Sequence, residues 1–202
     1  LFVVGAGVGG ASVVPVESFD PTRRLARLRL DAAPARPIGI PGEGAVGLAR
    51  GLDEATALLC AEIVGGMEKV LETAVEYAGE RHQFGRPIGS FQAVKHKCAD
   101  MLIDFEGART ATSAALAAAD ADDPERGVLA GVAKAQAGPA YVRATTENIQ
   151  IHGGVGYTWE YDAHLYYRRA CASSILLGDA VVHRERLARA LAQRVTEGRA
   201  AT

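Results

Sequence analysis

From Asp53 to about Gln83, apolar residues recur every three or four positions: Cys60, Val64, Met67, Leu71, Ala74 and Ala78. That spacing places them on one stripe of a long helix, while Glu68, Glu72, Glu76 and Glu80 line another face. The stretch "FGRPIG" breaks the pattern. Helical spacing resumes from about Ser90, a candidate N-cap, to Ala121. Asp122 or Asp123 is predicted to cap a third helix with Pro124 in its first turn, and Gly153-Gly154 to stop it after about His152. Pro139 lies inside this helix and predicts a kink near Gln136. Two further stretches, about Glu160 to Ser174 and Asp179 to Arg194, complete the helical part. Long helices with short connections predict an antiparallel bundle of about four with a helical tail, over residues 45–197.

The first residues follow another period. "LFVVGAGVGG" places Gly5, Gly7 and Gly10 at the G-x-G-x-x-G spacing of a dinucleotide-binding turn. Such a turn needs a helix directly after it, because the pyrophosphate sits on that helix's N-terminus. Here Val13, Val14, Pro15 and Val16 follow, and a proline in a helix interior costs about 3 kcal/mol. "VVPVESF" therefore reads as a strand, and "RRLARLRLD" alternates as a half-buried strand. The glycines form a turn between strands. Residues 1–35 read as the end of a β-rich domain, and 36–44, within "AAPARPIGIPGEG", as a linker.

Composition narrows the function. The 202-residue chain carries a net charge of −2, so no basic surface points to nucleic acid. Cys60, Cys98 and Cys171 are an odd, scattered set, which fits reduced thiols of a cytoplasmic protein rather than a disulfide framework. His82, His96, His164 and His183 show no ligand spacing, so no metal is assigned. No apolar run reaches the roughly 20 residues of a membrane span. The chain opens on Leu1 and shows no signal peptide, and is read as a piece of a longer protein.

Two compound motifs carry the chemistry: "ERHQFGRPIGSFQAVKHKCADM" from Glu80 and "ENIQIHGGVGYTWEYDAHLYYRRA" from Glu147. Taken alone, each has an ordinary reading. Arg81 at a helix end complements the dipole or pairs with Glu76 or Glu80. Gln150 is a polar helix-end residue, and Gly153, Gly154 and Gly156 form a C-cap and turn. Together, in this order on a helical frame, they resemble the C-terminal domain of acyl-CoA dehydrogenases. The resemblance covers nearly the whole chain. It implies a mainly α fold: the end of that family's β-barrel-like middle domain, followed by its four-helix C-terminal domain. "TWEYDAHLYYRRA" is also similar to a bacterial branch that includes enzymes acting on CoA thioesters of steroid side chains.

The resemblance implies FAD as cofactor and an acyl-CoA thioester as substrate. It also implies an electron-transfer flavoprotein as electron acceptor and a homo- or heterotetramer. The flavin of one subunit meets the C-terminal domain of its neighbour. Arg81 matches the arginine that pairs with the pyrophosphate, where charge and fork geometry suit the anion. Gln83 and Gln92 match polar cofactor-facing positions, and Phe84 an apolar contact of the adenosine. Gln150, Gly153 and Gly154 match a "Q-x-x-G-G" run where bare backbone approaches the ligand. Asp179 matches a cofactor-binding threonine. His152 is left open between a cofactor contact and a structural histidine. Tyr157, Trp159 and Tyr161 read as core or interface filler rather than pocket lining.

The reaction implied is α,β-dehydrogenation: a carboxylate takes the proton α to the thioester while hydride passes from the β-carbon to flavin N5. The usual glutamate position falls on Leu177, in "SILLGDA". Leucine takes no proton. Three alternatives stand. The base is on the first long helix, with Glu54 and Glu62 as weak candidates, or it is Asp179, displaced by two residues. Otherwise the chain is a catalytically silent subunit whose partner supplies the carboxylate.

Overall fold

The structure is a computed structural model describing residues 1–40 and 42–200, with backbone alone for 197–200. Two short antiparallel pairs open it. Strand β1 (Phe2–Val4) pairs with β4 (Ala35–Pro37), and β2 (Ala11–Val16) with β3 (Leu25–Leu30) in a register that sets Val13 opposite Leu28. The Gly5–Gly10 segment is the turn from β1 to β2, as its β-branched sequel requires, with Gly7 and Gly10 at positive φ. The stretch read as a linker begins instead as strand β4. Its Pro37 can occupy an edge strand because an edge leaves some N–H groups unpaired anyway. Pro41, also in that stretch, lies outside the described residues.

Helix α1 spans Gly44–Glu80, starting nine residues ahead of Asp53. The extra turns hold Gly44, Gly47 and Gly51, poor helix formers that hide the start from a periodicity argument. A tiny hairpin follows, β5 (His82–Gln83) with β6 (Arg86–Pro87), then a 3₁₀ turn over Ile88–Ser90. Helix α2 spans Gln92–Asp120 and α3 Arg126–His152, followed by a 3₁₀ turn Gly153–Tyr157. Helix α4 spans Ala163–Ile175 and α5 Ala180–Ala200. Ser90 is not the cap of α2. Its hydroxyl donates to the Pro87 carbonyl at 2.7 Å inside the 3₁₀ turn, and Phe91 holds the N-cap position. Asp123 and Pro124 lie in the turn ahead of α3 rather than in its cap and first turn: Asp123 accepts the Glu125 N–H at 2.7 Å, and Glu125 holds the N-cap position. Helix α3 continues unbroken through Pro139.

Residues 121–125 connect α2 to α3. Five residues reach at most ~18 Å, whereas α3 is about 40 Å long at ~1.5 Å per residue. The two packed helices must therefore run antiparallel. Helix α3 is the central element, packed against α1, α2, α4 and α5. Its buried Ala130, Ala133, Ala137, Ala140 and Ala144 let neighbours approach on several sides. Cys60, Ile63, Met67, Val70 and Ala74 of α1 meet Met101, Phe105 and Ala108 of α2 in the core. Of the expected α1 stripe, Cys60, Met67, Ala74 and Ala78 are buried, and Val64 and Leu71 pack at its margin. No helix among the described residues is long and apolar enough to cross a membrane.

The β2–β3 loop is pinned to α4. Asp20, fully buried, accepts the Thr22 N–H at 2.9 Å and the Arg169 guanidinium at 3.2 Å. Burial opposes its charge, but the bonds from Thr22 and Arg169 win and hold its pKa below the ordinary 3.8.

Met67 is fully buried where α1 meets its neighbours. Met67→Ala is expected to destabilise the fold by about 2–5 kcal/mol, the range for emptying a packed core site. Equilibrium urea unfolding checks this.

Candidate cofactor-facing end

Two bundle ends carry different residues. At one end, α1 finishes, the β5–β6 hairpin turns, α2 begins and α3 stops. Arg81 is the C-cap of α1, its N–H donating to the Tyr77 carbonyl at 2.9 Å and its carbonyl accepting from Ile88 at 2.8 Å. Its side chain is exposed and, among the described residues, pairs with neither Glu76 nor Glu80. Gln83 is exposed and turns its amide to the His82 carbonyl at 2.8 Å. Phe84 and Gly85, at φ 54° and 77°, form the two-residue turn of the hairpin. Left-handed backbone is unfavourable for phenylalanine, and its ring is 91% exposed. It touches Phe91 edge-on, and the Arg86 guanidinium covers the other ring at 4.1 Å. Gln92 is exposed on the first turn of α2.

Gln150, Gly153 and Gly154 lie at the same end, exposed on the last turn of α3 and just beyond it. Gly153 has φ 62° and ψ −137°, a conformation open essentially to glycine alone. A Cβ added at Gly153 or Gly154 would meet nothing within 4 Å. Among the described residues nothing fills the space that the missing side chains leave.

The two motifs are joined through His152. Its ring stacks on Tyr77 at 4.1 Å and lies 4.6 Å from Tyr161. Nδ1–H donates to the Asn148 carbonyl at 2.8 Å, and Nε2 accepts from the Tyr161 hydroxyl at 2.7 Å. Both ring nitrogens are thus used inside the protein, which makes His152 structural. Burial keeps its pKa below the ordinary 6.5. Tyr161 is part of this tie, whereas Tyr157 and Trp159 are 74% and 73% exposed and do not fill this chain's core. Periodicity gave no reason to single out Tyr77; its position one helical turn before Arg81 is the available signal.

The candidate bases lie elsewhere. Glu54 is paired with Arg50 at 2.8 Å, near the start of α1. Glu62 is held by Arg23 at 2.6 Å and by the fork of Arg169 at 3.0 and 3.3 Å. It borders a cavity of about 340 Å³ that Gly66, Tyr141 and Tyr166 also line. The Asp179 carboxylate caps α5, accepting the N–H groups of Val181 and Val182 at 3.0 and 2.9 Å. The structure therefore groups Arg81, Gln83, Phe84, Gln92, Gln150, Gly153 and Gly154 at one end, and leaves Asp179, Glu54 and Leu177 toward the other. Lys134 of α3 contacts the Gly178 carbonyl, and Gly153 is 19 positions further on, about 28 Å along the helix. Among the described residues no group of three acidic, histidine or cysteine side chains forms a metal site.

Residues 42–192 match the family described as "Acyl-CoA dehydrogenase, C-terminal domain". The chain is 43% identical over 166 residues to the acyl-CoA dehydrogenase IpdE2 of Mycobacterium tuberculosis, covering 82% of this chain and 48% of that protein. Among solved structures, a Tcur3481-Tcur3483 steroid ACAD variant superposes with a TM-score of 0.88 at 34% identity, over 97% of this chain and 52% of the other. The ChsE4-ChsE5 complex from Mycobacterium tuberculosis superposes at 0.84 with 31% identity, over 95% and 51%. The chain thus spans about half the length of these relatives.

The neutral His152 sets a pH dependence. Below about 6.5 the unfolded chain's imidazole takes a proton that the folded state resists, so stability falls as pH drops through that range. Melting temperatures measured from pH 8 to 5 are expected to fall, and less steeply in His152→Gln. An unchanged slope in the variant contradicts the assignment.

Proposed function

The chain belongs to the acyl-CoA dehydrogenase family, and on that premise we propose that the complete protein works in FAD-dependent α,β-dehydrogenation of an acyl-CoA thioester. In this reading the chain completes the FAD site of a neighbouring subunit. One observation carries it: an exposed Arg81, without a carboxylate partner among the described residues, stands at the same bundle end as backbone left bare at Gly153 and Gly154. A guanidinium and open amide backbone are donors suited to a pyrophosphate, and the exposed Phe84 ring offers an apolar face to an adenosine. These residues fit the adenosine diphosphate half of FAD. Gln83, Gln92 and Gln150 add hydrogen-bonding groups at the rim. When bound, FAD supplies the hydride acceptor.

The proposed substrate is a bulky thioester of the steroid side-chain type, which the likeness to a steroid ACAD supports. The proposed assembly is a cytoplasmic homo- or heterotetramer that passes electrons to an electron-transfer flavoprotein.

A second reading follows from Leu177 and the tied carboxylates. Glu54 and Glu62 are each committed to arginine, and the Asp179 carboxylate caps a helix. This favours a catalytically silent subunit whose partner supplies the base, an arrangement compatible with the two-component ChsE4-ChsE5 relative.

Two measurements on the complete protein, with any subunit that co-purifies, test these readings. Arg81→Gln is expected to weaken FAD binding roughly ten- to a hundredfold, the cost of a lost charge-assisted hydrogen bond. Unchanged affinity contradicts the proposed cofactor site. Anaerobic bleaching of the flavin by an acyl-CoA is expected to persist in both Glu54→Gln and Glu62→Gln. Abolished bleaching in either variant, with flavin retained, places the base on α1 and removes the silent-subunit reading.

A further inference from the structure

Lys134 lies on α3 with its side chain fully buried and, among the described residues, forms no ion pair. Its Nζ donates to the carbonyls of Ser174 and Gly178, each at 2.8 Å. From the other side His183 of α5, also buried, donates from Nε2–H to the Leu177 carbonyl at 3.0 Å. Three carbonyls, that of Ser174 in the last turn of α4 and those of Leu177 and Gly178 beyond it, are therefore held by side chains of α3 and α5. Between them Leu177 and Gly178 take φ 60° and 97°. A leucine adopts left-handed backbone only where its surroundings enforce it.

The placement explains the buried lysine. A helix C-terminus leaves carbonyls without partners and carries the negative end of the helix dipole. Lys134 meets that end of α4 at Ser174, then spans to Gly178, so one cation closes both sides of the reversal. The Gly178 N–H returns to the Ile175 carbonyl at 3.2 Å, and Asp179 starts α5 directly afterwards. Burial keeps the His183 imidazole neutral, with Nε2 carrying the proton that the Leu177 carbonyl accepts.

We propose that Lys134 and His183 are positioning residues that lock the 174–179 connection in one conformation for the dehydrogenation reaction. This rests on the proposed function together with the family resemblance, under which the usual position of the catalytic glutamate falls on Leu177 of that connection. The nucleotide-facing end is about 28 Å away along α3. The proposal therefore separates two effects: loss of the clamp changes the chemical step and leaves cofactor retention alone.

The test uses the complete flavoprotein with its co-purifying subunit. Flavin content and the rate of anaerobic bleaching are measured at saturating substrate, with a medium-chain and a steroid-side-chain CoA thioester as probes. Lys134→Met and His183→Leu are expected to retain flavin as the parent does while the bleaching rate falls roughly ten- to a hundredfold, the scale set by small misplacements. His183→Asn, whose amide can still donate to the Leu177 carbonyl, is expected to recover most of the rate. Parent-like bleaching in Lys134→Met and His183→Leu overturns the proposal, as does parallel loss of flavin and rate, which marks a purely structural role. If Lys134→Met does not fold, the His183→Leu and His183→Asn pair decides by the same criteria. A parent protein that neither probe bleaches overturns both this proposal and the function it rests on. Unchanged FAD affinity in Arg81→Gln overturns the cofactor site alone.

Discussion

The imidazole of His152 between Tyr77 and Tyr161 fixes the relation on which the rest depends. One neighbour belongs to the last turns of α1, the other to the segment after α3. The stack and two hydrogen bonds make the ends of these long helices a single unit. Without it, Arg81 and Gly153 would be exposed residues on separate helix ends, each free to fray. With it, a cation and bare backbone share one surface.

Charge is distributed to match. Along the α1–α4 side, carboxylates and guanidiniums neutralise one another: Glu62 with Arg23 and Arg169, Asp20 with Arg169, Glu54 with Arg50. The pairs Arg23–Glu62 and Asp20–Arg169 join the β2–β3 loop to the bundle, the Glu54–Arg50 pair lies within α1, and all three carboxylates are committed. Arg81, at the other end of α1, has been left out of this pairing. An exposed cation of that kind is inexpensive in water and gains most when a desolvated anion meets it. The charges that tie the β2–β3 loop to the bundle are paired with one another, while among the described residues Arg81 has no carboxylate partner.

The long helices were legible because burial repeats at their period. The α1 stripe from Cys60 to Ala78 and the stop at Gly153 follow from that pattern and from local backbone chemistry. The early turns of α1 were not, since their glycines erase the periodic signal, and Ser90 was misread because a tight turn at Pro87 captures its hydroxyl. Strand β4 hid among prolines that also mark a linker. At the candidate site, Arg81 and Gly153 stood out through motif context. Lys134 did not: a periodicity argument places lysine on a solvated face, and only the carbonyls of a distant helix end explain its depth. Asp179 stands at the start expected for α5, and the structure shows its carboxylate capping that helix.

The account's central claim is that Arg81 and the Gly153-Gly154 backbone of one subunit face a single nucleotide bound mainly by another. An experimental density map of the complete, flavin-loaded assembly tests it most directly. The account predicts density for the adenosine diphosphate half of FAD in contact with both places on an adjoining subunit. Nucleotide density bound elsewhere, with Arg81 and Gly153-Gly154 both open to solvent, would contradict it.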